Sequence, residues 1–131
     1  MGLFSGLFGG GSKEENEGKT KIPWIALTDL SQLDEIVEKS RIKPQVIFKH
    51  STTCGISRMV LNMFTSNYAL SEEQMDFYFL DLHKNRNVSN EVEAKFNIVH
   101  QSPQLLVIKN AQVVAHDSHG AISEVRLEEF V

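Results

Sequence analysis

From Ile22 onward, apolar and polar positions switch between two periods, and the switching predicts an order of elements. Trp24 to Leu27 has the character of a short strand. Asp29, with Gln32 three residues on, resembles a capping box, and Leu30, Leu33, Ile36 and Val37 then keep helical spacing. Pro44 opens a second strand over Gln45 to Lys49, where Val46, Ile47 and Phe48 form the continuous apolar run of a strand buried on both faces. A loop, His50 to Thr53, leads to Cys54. Beyond it Met59, Val60, Met63 and Phe64 fall on one helical stripe running to about Ser66, and the simplest role for the two methionines is to fill the core. Phe77 to Leu82 is a third, aromatic strand. Asn90 with Glu93 offers a further helix start, with Val88, Val92 and Phe96 on one face. Leu105 to Ile108 and Gln112 to Ala115 flank Asn110-Ala111 in the manner of a hairpin. Ser123 as N-cap, with Ile122 and Leu127 as a hydrophobic staple, predicts a terminal helix. The order β-α-β-α-β-α-β-β-α implies an α/β fold, a mixed central sheet with helices on both faces.

The segment ahead of Ile22 behaves differently. Met1 to Gly10 reads MGLFSGLFGG, with no basic stretch before its short apolar part, so export is not expected. Position 6 is Gly where a myristoylation pattern wants Ser or Thr. Gly9 to Lys21 is rich in glycine and charge without an apolar period, the composition of a flexible tail. The expected organisation is a tail over 1–21 and one domain over 22–131, which suits a chain of 131 residues. Leu3-Phe4 and Leu7-Phe8 give the tail two apolar pairs suited to weak docking.

With 41% hydrophobic and 23% charged residues the chain has the balance of a folded globular protein. No apolar run approaches the roughly 18 to 20 residues a membrane-spanning helix needs. A net charge of -4, with no block of Lys and Arg, argues against a general nucleic-acid partner. The one cysteine excludes an intrachain disulfide and an all-cysteine zinc site, so Cys54 acts with an outside partner. It stands where a buried strand gives way to an amphipathic helix. Unpaired backbone N–H groups and the positive end of the helix dipole favour thiolate there, lowering a pKa near 8.5 to roughly 3.5 to 7.5. The competing reading is a small buried hydrophobe.

Cys54-Gly55-Ile56-Ser57 occupies the place of the CxxC motif of thioredoxin-like proteins, with serine where the resolving cysteine would be, and Ser102-Pro103 precedes a strand as their cis-proline loop does. More narrowly, Phe48 to Ser57, the segment His100-Gln101-Ser102-Pro103-Gln104, and His116-Asp117-Ser118-His119 resemble the YtxJ family of monothiol bacilliredoxins. The resemblance covers about Trp24 to Val131. It departs at Gly55, where that family carries proline, and in the N-terminal tail.

The resemblance implies a thioredoxin-like fold, a cytoplasmic protein and a thiol-disulfide oxidoreductase that removes the small thiol bacillithiol from mixed disulfides on client proteins. Cys54 is then the nucleophile. Thr53, Gly55, Gln101, Ser102 and Pro103 bind the thiol substrate, and the Ser102-Pro103 bond is expected to be cis. Bacillithiol serves as co-substrate, with no resident cofactor and no metal. Ser57 cannot resolve a disulfide; its hydroxyl either donates to the thiolate or satisfies backbone as an ordinary first-turn serine. Two other functions stay open: a CGFS-glutaredoxin-like iron-sulfur carrier, although no late Gly-Gly-Xaa-Asp segment is present, and a redox-inert binding module. Of the remaining residues, His50 with Cys54 is short of the three or four ligands zinc needs, and His50 reads as a loop histidine. Lys49 could stabilise the thiolate, but at a strand end it reads first as solvated. His116 and His119 flank a polar loop that could meet substrate.

Overall fold

A computed structural model describes residues 22–53, 55–66 and 74–131. The expected tail and Cys54 lie outside the described residues. Five strands, β1 (Ile25–Ala26), β2 (Gln45–His50), β3 (Asp76–Asp81), β4 (Gln104–Lys109) and β5 (Gln112–Ser118), form one sheet in the order β1-β3-β2-β4-β5. The first three of these in space run parallel, and β4 and β5 are antiparallel additions. The helices are α1 (Leu30–Lys39), α2 (Gly55–Ser66) and α3 (Arg86–Phe96).

β2 is the central strand, and all six of its residues are buried. Because successive side chains point to opposite faces, it divides the core in two. Val46 and Phe48 pack with Val60 and Phe64 of α2 and with Ile122 and Leu127 near the C-terminus. Ile47 packs with Leu33 and Ile36 of α1 and with Val88 and Val92 of α3. The sheet is therefore covered on both faces, as the alternation of periods implies. Lys95 on α3 donates to Asp34 on α1 at 2.9 Å, tying the two helices of one face together.

Local chemistry accounts for the boundaries. The capping box is present: the Asp29 carboxylate accepts from Ser31 N–H at 3.1 Å and Gln32 Oε1 accepts from Asp29 N–H at 3.0 Å. Asn110 and Ala111 both have positive φ, 55° and 66°, the backbone of a tight two-residue hairpin. Alanine tolerates this poorly, and α1 holds the turn from outside, since Ser40 O accepts from Asn110 N–H at 2.7 Å and Ser40 Oγ from Ala111 N–H at 2.8 Å.

Three expectations are corrected. α3 starts at Arg86, not at Asn90, because burying Val88 and Ser89 against the sheet requires the preceding turn to be helical already, and Asn90 sits exposed in its interior. The C-terminus forms two short 3-10 helices, His119–Glu124 and Leu127–Phe130, in place of an α-helix. Ser123 Oγ donates back to Gly120 O rather than capping, and extended Val125 separates the two turns while Ile122 and Leu127 still reach the core. Met59 and Met63 are 55% and 41% exposed. They lie about 100° round the helix from Val60 and Phe64, which take the core positions.

Candidate active site

The parallel register carries His50 at the end of β2 beside Asp81 at the end of β3, so the loops that follow both strands emerge together. Leu82 N–H donates to His50 O at 3.1 Å, and His83 reaches across to the turn over residues 51–53. From the other side, the antiparallel pairing of Lys49 with Gln104 brings the segment just before Gln104 to the same end of β2. Thr53, Gly55 and Ser57, and the proline loop with Gln101, Ser102 and Pro103, thus belong to one end of the sheet. Cys54 stands between Thr53 and Gly55 in the sequence.

Ser57 is fully buried, 0% exposed. Its Oγ accepts from Ser51 N–H at 3.1 Å and lies 3.0 Å from His50 Nδ1. The backbone-satisfying role expected of a first-turn serine is therefore real, and it comes with a histidine partner that the sequence reading missed. His50 is not a loop residue but the buried last residue of β2. Its ring packs against Phe79 with centroids 5.2 Å apart. Burial lowers its pKa, Asp81 opposes that shift and Arg58 adds to it, so the imidazole is neutral at neutral pH.

Lys49 is the clearest correction. It is 0% exposed and not solvated, because β3 and β4 both flank β2 as far as Lys49. Its Nζ lies 3.1 Å from His100 Nδ1. Desolvation brings its pKa down to about 8 against the pull of Glu93, and His100 is lowered by its own burial and then by Lys49. The signal available in the sequence was the unbroken apolar run before Lys49, which makes a buried end as natural as an exposed one.

The Ser102-Pro103 bond is cis, and Pro103 is buried while Gln101 is exposed. Ser102 Oγ is buried without a hydrogen-bond partner among the described residues. Pro103 O accepts from His119 N–H at 3.1 Å, which ties the end of β5 to the proline loop. His116 and His119 are themselves exposed. Thr53 is exposed, with Oγ1 3.2 Å from both Ser51 Oγ and His83 Nε2. His83 and Ser51 were not singled out by sequence; the hint was a histidine two residues beyond an aspartate closing an aromatic strand. Among the described residues no group of three or more His, Cys, Asp or Glu could hold a metal ion.

A protein-family model described as monothiol bacilliredoxin BrxC matches residues 25–127. The chain belongs to the monothiol bacilliredoxin family. Among solved structures, this bacilliredoxin is similar to a thioredoxin-fold protein described as a candidate oxidoreductase, at 32% identity and a TM-score of 0.65, with 76% of this chain and 85% of that chain covered. Thioredoxin from Trypanosoma brucei brucei matches at 12% identity and a TM-score of 0.61, over 86% and 90% of the two chains. Thioredoxin O2 from Arabidopsis thaliana matches at 19% and 0.61, over 87% and 93%. These two establish the thioredoxin fold. A thiol redox role, as a thiol-disulfide oxidoreductase, follows for the bacilliredoxin from its family. Among the described residues no helix is long and apolar enough to cross a membrane.

Proposed function

We propose that this bacilliredoxin removes bacillithiol from mixed disulfides on client proteins in the cytoplasm, through Cys54. The Cys54 thiolate attacks the bacillithiol sulfur of a client mixed disulfide; that disulfide breaks, the client leaves as thiolate and takes a proton from solvent, and Cys54 becomes bound to bacillithiol. A second bacillithiol thiolate then attacks the adduct at the bacillithiol sulfur, releasing bacillithiol disulfide and the Cys54 thiolate. A partner oxidoreductase can supply the same electrons. Thr53 and Gly55 on one side, and Gln101, Ser102 and Pro103 on the other, bind the thiol substrate; the exposure of Thr53, Gly55 and Gln101 at one end of the sheet supports this.

The observation that carries the reading is Ser57. The position from which a resolving thiol would attack holds a buried hydroxyl already engaged with Ser51 N–H and His50. Release must therefore come from solution, which favours a small thiol over a protein as the retained partner.

The test compares substrates. Wild-type protein should restore the client thiol of a bacillithiol mixed disulfide rapidly and reduce insulin poorly, and mass spectrometry should find the Cys54 adduct accumulating when free bacillithiol is withheld. Cys54→Ser should be inactive. Ser57→Cys should form an internal disulfide and make release depend on a reductase instead of added thiol. Equal rates on insulin, or equal processing of glutathione mixed disulfides, would overturn the assignment.

A further inference from the structure

The turn that leads into Cys54 is closed by three polar atoms from two loops. His83 Nε2 is 2.7 Å from Ser51 Oγ and 3.2 Å from Thr53 Oγ1, and the two hydroxyl oxygens are 3.2 Å apart. The loop bearing His83 is itself fixed, since Asp81 Oδ1 accepts from the backbone N–H groups of His83 and Lys84 at 3.1 and 3.3 Å.

Along the two contacts of Ser51, the shorter at 2.7 Å to His83 and the other to Thr53, two arrangements keep the buried Ser51 proton bonded. With Nε2 bare, Ser51 donates to it and Thr53 donates to Ser51, so both hydroxyl protons stay inside the ring. With a proton on Nε2, His83 donates to Ser51, Ser51 donates to Thr53, and the Thr53 proton is left over. Ser51 is buried and Thr53 exposed, so the spare donor lies at the open end of the relay, on the residue next to Cys54. A neighbouring thiolate favours that arrangement, because a hydrogen bond to an anion is roughly twice as strong as a neutral one.

We infer that His83, Ser51 and Thr53 form a hydroxyl relay in which His83 is a positioning residue that turns the Thr53 hydroxyl into a donor for the anionic sulfur at the site. The inference rests on the reading of Cys54 as nucleophile. His83 acts on the sulfur through the two hydroxyls.

The test is the pH profile of Cys54 alkylation by iodoacetamide. His83→Phe, Ser51→Ala and Thr53→Val should each raise the Cys54 pKa and slow alkylation at neutral pH by about three- to tenfold, the weight of one hydrogen bond. Thr53→Ser, which keeps the hydroxyl, should restore the wild-type profile, and Thr53→Val combined with His83→Phe should be no worse than either alone. Thr53 is exposed, so its substitutions test the relay without endangering the fold. A wild-type profile for Thr53→Val, or effects of His83→Phe and Thr53→Val that multiply, would overturn the relay while leaving Cys54 a nucleophile. A wild-type Cys54 titrating near 8.5 would overturn the underlying reading as well.

Discussion

The two faces of the sheet are built from different materials. On the α2 side Trp24, Phe48, Phe64, Phe77 and Phe79 interlock, with Trp24 at 5.6 to 6.2 Å from each of the other four. On the α1 and α3 side the core is aliphatic apart from Tyr78 and the edge of Phe96. One strand serves both, and it ends with a buried polar residue on each: His50 on the aromatic face, Lys49 on the aliphatic one. The consequences differ. Rings have few rotamers and defined contact geometry, so the wall of Phe48 and Phe79 fixes the plane of His50 and through it the Ser57 hydroxyl. The aliphatic face gives Lys49 a flexible stem, a histidine partner and a desolvation cost. Rigidity is invested behind the redox site, and an electrostatic strain is held on the opposite side.

The strongest way to break this contrast is Phe48→Ala, expected to cost about 3 to 5 kcal/mol in denaturant unfolding and to abolish activity. Ile47→Val on the other face should cost about 0.5 to 1.5 kcal/mol and leave Cys54 reactivity intact. If variants of matched stability on the two faces lose equal activity, the aromatic wall has no special bearing on the site.

Lys49→Met should leave stability about unchanged or raise it, because the desolvation that lowers the Lys49 pKa goes with the charge. The sign of the pH effect is fixed by the shift. Lys49 holds its proton more weakly when folded, about 8 against 10.5, so between those values the unfolded chain binds more protons and stability climbs as pH rises. Tyr78, raised from 10.0 to about 12 chiefly by burial, keeps its proton longer when folded, so its contribution falls across that higher window. Urea midpoints from pH 7 to 12 should rise and then fall in the wild type, and the rise should vanish in Lys49→Met. A rise that survives the substitution would place the titrating group elsewhere.

The smallest effect sharpens the boundary of the aromatic face. Met59→Gln should change stability by less than about 0.5 kcal/mol, because the side chain is 55% exposed. A loss of about 2 kcal/mol or more, the cost of a core methionine, would return Met59 to the interior.

Periodicity revealed what depends on one element and its neighbours. The capping box at Asp29, the run through Val46 to Phe48 and the Asn110-Ala111 turn state their structures locally. The terminal segment did not, because the same apolar spacing of Ile122 and Leu127 is met by two 3-10 turns once Ser123 bonds backward. At the site, the resemblance marked Ser57 and the cis proline, since both are written in short motifs. Lys49, His50 and His83 were misread or passed over for one physical reason. Each gains its partner from a residue 7 to 51 positions away, in a different element or loop, which the spacing within one segment does not encode.

Gly55 carries a last consequence. A Cβ added there would meet no heavy atom within 4 Å, so the folded protein does not require glycine at the first position of α2. What glycine adds is freedom in the unfolded chain, which folding must then remove. That freedom weakens the chain, and the open space leaves position 55 free for tuning. Alanine would fit, and the proline of the family pattern, besides filling the same Cβ position, removes the backbone N–H of residue 55. A comparison of Gly55→Ala with Gly55→Pro therefore reads out that one N–H, with chain stiffness changed in the same direction by both.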